Sequence, residues 1–271
     1  MKLGFSTLCC MEYTLEQTIA LAKRGNLSFL ELRLNKDSSL FQDRLTLADA
    51  DQIRTAFAKG RLKITDLATG VFLCNNTDEN IAAAKAAINF AKALGAPAIR
   101  VFAGHGRCCF EDYTHQEIKS IANTLQLLCD YAGNIEIWVE NHSAFSTGRS
   151  VKALLDLSNR PNAKAIWDVA HSIEYAESPE KTLQYLKDYL VHVHIKDVAP
   201  DHRGGKYICT DLGKGCIPIQ KIISLLQEAD YSGVLSLEWE SHWQESLRPL
   251  YPDKAELFDV YRAYLSLHQN L

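Results

Sequence analysis

Basic stripes, long apolar runs and paired-cysteine motifs are all missing from this 271-residue chain, and each gap removes a class of function. Lys and Arg number 29 against 33 Asp and Glu, a formal net charge of −4. With no basic face, nucleic acid is not the expected partner. No run approaches the roughly 20 apolar residues of a membrane-spanning helix, so no membrane partner is expected either. The opening MKLGFST lacks the charged-then-apolar layout of a secretory signal and already reads as a strand. None of the eight cysteines forms a C-x-x-C pair, and Cys9–Cys10 and Cys108–Cys109 are vicinal, which disfavours ordinary bridges. Reduced thiols in a cytoplasmic protein, serving as small hydrophobes, fit better. Low-complexity stretches and linkers are absent too, and no glycine-rich phosphate turn follows the first strand, which argues against an open doubly wound sheet.

What is present is a strand, a turn and an amphipathic helix, repeated. KLGFST (2–7), SFLELRL (28–34), KITDLAT (63–69) and AIRVFAG (98–104) read as strands, each followed by a helical pattern. The helices are expected over Leu15–Arg24, Leu47–Lys59, Asp78–Leu94 and His115–Tyr131. IEIWVENH (135–142), AIWDVAH (165–171), LVHVHIKD (190–197) and GVLSLEWE (233–240) continue the series. Their helices are expected over Arg149–Ser158, Pro179–Asp188, Pro218–Ala229 and Lys254–His268. Ile118, Ile121, Leu125 and Leu128 share one helical face, as do Ile219, Ile222, Ile223 and Leu226. Gly25, Gly60, Gly95 and Gly133 fall where helices end and a left-handed residue is often needed. The strands are apolar on both faces, as a doubly covered parallel sheet requires. Eight such units predict an α/β fold, a single (β/α)₈ TIM barrel domain over residues 1–271, with chemistry at the carboxyl ends of the strands.

The last four strands each carry a metal-ligand residue near that end: Glu140, Asp168, His194 and Glu238. Side chains two apart share a face of a strand. That groups Trp138 with Glu140; His192 with His194 and Lys196; and Ser236 with Glu238 and Glu240. Three carboxylates packed together repel unless a cation sits among them. Three oxygen donors and one nitrogen donor, without thiolate, favour Mn²⁺, Mg²⁺ or Co²⁺ and tolerate Zn²⁺.

The chain resembles the xylose isomerase-like TIM-barrel superfamily, the sugar phosphate isomerase/epimerase and AP endonuclease 2 fold group. The resemblance rests on Glu140–Asn141, the D-x-x-H of Asp168–His171, the H-x-H-x-K-D of His192–Asp197, the G-x₄-E of Gly233–Glu238 and the G-x-G of Gly213–Gly215. It implies one divalent metal ion held by Glu140, Asp168, His194 and Glu238. It also implies that Glu140 and Glu238 move protons, and that His171, from the loop after strand six, contacts a substrate oxygen. Lys196 is a further candidate for a substrate oxygen or carboxylate, or else pairs with Asp197 or another carboxylate. The implied activity is isomerisation or epimerisation of a small sugar or polyol-derived ketone through an enediolate. The alternatives are a dehydratase of the inosose dehydratase type and a non-catalytic metal- or sugar-binding barrel. Homo-oligomers are common in the group.

Relatives acting on free ketoses carry Arg six residues after the metal histidine, where this chain has Pro200. The group's three-metal endonucleases need a histidine after strand three and an Asp-x-His after strand seven. Here Leu67–Gly70 end strand three, and Asp201–His202 are adjacent rather than spaced; His105 alone does not replace the missing ligands. Glu31, Arg33, Arg100, Phe102, His105 and Arg107 are candidates for the pocket rim or for ion pairs between strands. Trp138 is a candidate wall of the site, whereas Trp167 and Trp239 face the helices. Glu240 is a second choice to Glu238, His192 reads as a buried, hydrogen-bonded histidine or a support for the metal shell, with His142 similar, and Glu12 reads as solvated.

Overall fold

The computed structural model describes residues 1–35, 37–41, 46–200 and 207–268. Among them, eight parallel strands close into a barrel: β1 (Lys2–Ser6), β2 (Phe29–Arg33), β3 (Lys63–Phe72), β4 (Ala98–Phe102), β5 (Glu136–Glu140), β6 (Ala163–Asp168), β7 (Leu190–Ile195) and β10 (Val234–Leu237). Each strand lies beside its sequence neighbour, and β10 closes the ring between β7 and β1. Helices α1 (Leu15–Arg24), α2 (Leu47–Gly60), α3 (Asp78–Leu94), α4 (His115–Ala132), α5 (Gly148–Ser158), α7 (Pro179–Leu186), α8 (Ile219–Glu228) and α9 (Lys254–His268) follow successive strands. No described helix is long and apolar enough to cross a membrane.

Local chemistry starts the helices where the sequence does. Thr14, Thr46 and Thr114 each close a reciprocal capping box, and Ser178 caps α7 ahead of Pro179. Each helix then buries one apolar stripe against the barrel, as with Ile219, Ile222, Ile223 and Leu226 of α8. Gly95 and Gly133 do take positive φ, whereas Gly25 does not and Gly60 is the last residue of α2. At those two ends the left-handed residues are Asn26 and Arg61.

Two elements go beyond the simple repeat. A short helix, α6 (Val169–Glu174), starts directly at the end of β6, so His171 stands on a helix and not in a loop. The connection after β7 folds into an antiparallel pair, β8 (Asp197–Ala199) with β9 (Ile208–Thr210). Asp201–His202 lie outside the described residues.

Strand register sets the height of the site. Asp168 pairs with His194, and His194 with Ser236, so Glu238 stands one inward position higher, just past the end of β10. Glu140 pairs with Phe102 at the top of β4.

Candidate metal centre

Each of the four predicted donors is aimed by its own surroundings. Asn141 stitches β5 to β6: its Nδ2 donates to the Asp168 carbonyl (2.9 Å) and its Oδ1 accepts from the Asp168 amide (2.6 Å). Asp168 Oδ1 caps α6, accepting from the amides of Ala170 and His171, which leaves Oδ2 turned to the barrel axis. The Glu-Asn and D-x-x-H motifs are therefore joint fasteners as well as donor sources.

Donor atoms of Glu140, Asp168, His194 and Glu238 all lie within 4.8 Å of one another, and all four residues are buried. His194 Nδ1 is 3.5 Å from Glu140 Oε1, 3.7 Å from Glu238 Oε1 and 3.9 Å from Asp168 Oδ2, yet makes no hydrogen bond. Donors about 2.1 Å from a shared ion stand roughly 3–4 Å apart. The spacing fits one divalent ion, and the unpartnered imidazole nitrogen supplies the lone pair it needs. No cysteine belongs to any candidate ligand group among the described residues.

Side-chain cations also face these carboxylates. Lys196 Nζ lies 2.8 Å from Asp168 Oδ2, 2.8 Å from Glu238 Oε2 and 2.5 Å from Glu240 Oε1. Arg100 Nε is 3.1 Å from Glu140 Oε2. Burial penalises each charged carboxylate, but Arg100 and His194 hold Glu140 below the usual range, and Lys196 and His194 do the same for Glu238. At Asp168 burial wins over Lys196 and the proton is held more tightly. His194 is buried too, yet Glu31, Glu238 and Glu140 outweigh that and favour its imidazolium. A bound cation reverses that preference, because a ligating imidazole must be neutral.

His171 lies at the edge of this cluster, its Nε2 3.9 Å from Asp168 Oδ2 and its ring 4.6 Å from His142, edge to face. Against burial, Asp168 raises the His171 pKa to about 9. The His142 ring lies 4.4 Å from that of Phe102, tilted against it, so that Phe102, His142 and His171 form an aromatic wall. His142 Nδ1 meets Ser143 Oγ at 2.7 Å, and burial lowers the ring's pKa to about 3.

The secondary candidates divide. Arg100 and Glu31 reach the donors directly. Arg33 donates to the Thr69 carbonyl. His105 pairs with Asn75, and Arg107 pairs with Glu117 on the surface. Trp138 does not wall the site: its Nε1 donates to Glu136 (2.7 Å) and its ring packs beside His192 with Ala98 and Ile166, a layer below the donors. Residue alternation gives the face of a strand but not the depth. His192 is buried with both ring nitrogens unbonded, and burial lowers its pKa to about 3, so it is neutral rather than the hydrogen-bonded histidine expected. Glu240 holds Lys196 and accepts from Gln244; it is not in the donor group. Trp167 and Trp239 are buried in the core, as expected.

Asp197 does not pair with Lys196. Its carboxylate accepts from the amides of Val198, Gly213, Gly215 and Ile217 at 2.8–3.0 Å. A Cβ on Gly215 would sit 2.2 Å from Asp197 Oδ1, so the G-x-G leaves room for this cradle. The last two residues of H-x-H-x-K-D thus divide the labour, Lys196 serving the site and Asp197 the loop.

Residues 19–260 match the family model described as "Xylose isomerase-like TIM barrel". The chain belongs to this family. A 3-dehydroshikimate dehydratase of Bacillus anthracis is 26% identical over 161 residues, 53% of this chain and 56% of that protein. An inosose dehydratase of Clostridium botulinum (strain Eklund 17B / Type B) is 24% identical over 147 residues, 47% of this chain and 49% of that one. The match thus spans about half the length of these curated relatives. Among solved structures, IOLI protein, crystallised with a zinc atom, superposes with a TM-score of 0.80 at 20% identity over 100% of both chains.

Proposed function

We propose that this chain is a divalent-metal-dependent isomerase or epimerase of a small sugar or polyol-derived ketone. The observation that carries the reading is the convergence of four donor atoms from four strand ends within 4.8 Å. Glu140, Asp168, His194 and Glu238 would hold the ion, with Mn²⁺, Mg²⁺ or Co²⁺ suited to the oxygen-rich set and Zn²⁺ also accepted. Bound there, the ion would supply Lewis acidity to a carbonyl and its neighbouring hydroxyl. Glu140, kept ionised by Arg100, is suited to accept the α-proton. Glu238 follows β10, with β6 and β7 between that strand and β5, which supports a role for it in returning a proton from another side. His171 and Lys196 are the groups available to hold substrate oxygens, and the Phe102–His142–His171 wall limits water. Proton return to the same carbon from the opposite face yields an epimer; return to the adjacent carbon yields an aldose–ketose isomer.

A second reading, loss of a β-hydroxyl from the same enediolate, is favoured by the two curated relatives, both named dehydratases. One experiment separates the readings. The Mn²⁺-loaded protein is incubated in D₂O with keto-sugars, keto-inositols and cyclic hydroxyketone carboxylates, and products are followed by NMR. Deuterated epimer or isomer supports the first reading; a dehydrated product supports the second. Glu238→Gln should lose at least about 100-fold in turnover and in metal affinity, while Glu240→Gln keeps its metal. Metal uptake without exchange into any substrate would leave a binding protein, and no uptake would end both catalytic readings.

A further inference from the structure

His194 has two ring nitrogens in two different settings. Nδ1 faces Glu140, Asp168 and Glu238 and has no hydrogen-bond partner. Nε2 lies 2.6 Å from Oε2 of Glu31, a residue 163 positions earlier on β2. The contact crosses the barrel interior, since β1 and β10 stand between β2 and β7. Both residues are buried. Glu31 is itself clamped: its Oε1 accepts from Ser6 Oγ at 2.6 Å, and Ser6 is its register partner on β1. A carboxylate at one imidazole nitrogen keeps the proton there, which fixes the tautomer and leaves the other nitrogen's lone pair free.

We infer that Glu31 is a positioning residue that holds the Nε2–H tautomer and ring orientation of His194, so that Nδ1 is presented to the metal ion. The inference rests on the proposed site and concerns a residue outside its donor set. Glu31, His192 and His194 also lie close enough to hold an ion themselves. The hydrogen bonds argue otherwise. Both Glu31 oxygens are occupied, His192 Nε2 is 3.9 Å away, and an ion below the ring would need the nitrogen that already carries a proton to Glu31. Breaking this buried contact strands a polar group on either side, so the geometry is strongly held. The Ser6–Glu31–His194 chain continues inward from the donor shell in the manner of carboxylate–imidazole–metal arrangements, where removing the carboxylate weakens metal binding 10–100-fold.

The test is zinc affinity by chelator competition, with ¹⁵N NMR of the histidine side chains, on the wild type and Glu31→Gln. Glu31→Gln preserves shape and an acceptor oxygen, so it remains informative if Glu31→Ala fails to fold. Expected are zinc binding weaker by about 10–100-fold, a zinc-loaded wild-type His194 locked as Nε2–H, and a mixed or altered His194 signal in the zinc-loaded variant. A purely structural role would lower thermal stability without moving the zinc-loaded imidazole signal. Wild-type zinc affinity and an unchanged His194 signal in Glu31→Gln would overturn the inference and leave the proposed site standing. A wild type that binds no zinc, Mn²⁺ or Co²⁺ would overturn the site and the inference together.

Discussion

Replacing Lys196 with Met keeps the length of the side chain and deletes its charge, which makes it the most telling single perturbation. The ammonium touches three carboxylates, at 2.8, 2.8 and 2.5 Å, and is 2% exposed. Asp168 is fully buried, Glu238 is 7% exposed and Glu240 is 21% exposed, so the first two bear most of the loss. Removing one partner of a buried ion pair costs about 3–5 kcal/mol, because the remaining charge is stranded. In EDTA, Lys196→Met should therefore lose about 4 kcal/mol, or roughly 8–15 °C of melting temperature for a chain of this size. Metal stabilises both proteins, by about 2.7 kcal/mol at a hundredfold its Kd, so the difference between them narrows only by the variant's gain in affinity, about 1.4 kcal/mol per tenfold. The ammonium and the ion also repel one another, and that coupling is reciprocal. The variant should accordingly bind Mn²⁺ at least about tenfold more tightly than the wild type, even as turnover falls. Differential scanning calorimetry in EDTA and in Mn²⁺, with titration calorimetry for affinity, reads both effects. Equal destabilisation with and without Mn²⁺, at unchanged affinity, would refute the picture of a lysine and a cation serving the same carboxylates.

Two further outcomes test neighbouring parts of the structure. The His171 pKa, raised to about 9 in the folded metal-free protein against about 6.5 unfolded, contributes stability that is complete below pH ~6.5 and lost as pH rises through 9. Unfolding free energies from urea titration in EDTA should fall by on the order of 3 kcal/mol over that window and flatten in His171→Gln; a parallel decline in the variant would exclude His171 as the source. Gly215→Ala drives a Cβ into Asp197 Oδ1 and to 2.4 Å from the Val198 carbonyl, so a loss of about 2–4 kcal/mol is expected by chemical denaturation. Gly70→Ala, with open space around its Cβ, should stay within about 0.5 kcal/mol, and similar costs at both sites would discredit the clash.

The barrel was readable because its signals are local. Apolar runs of strand length alternate with helical stripes, and a charged residue closing such a run stands out, as Glu140, Asp168 and Glu238 do. Period-two alternation also puts His192, His194 and Lys196 on one face. Depth and reach across the interior have no such local mark. Trp138 shares the inward face of Glu140 yet lies a layer lower, and Glu31 meets His194 across 163 residues of chain. A hint existed in FLELR, where Glu31 and Arg33 are charged inward positions between outward leucines. Helix α6 and strands β8 and β9 escaped because six and three residues are too short for periodicity to register. Gly25 and Gly60 misled because Asn26 and Arg61 supplied the left-handed turns instead.

The Asp197 cradle has a consequence for how this scaffold tolerates change. By gathering four amides from both ends of the excursion after β7, a single carboxylate isolates the strand that bears His194 from whatever happens further out.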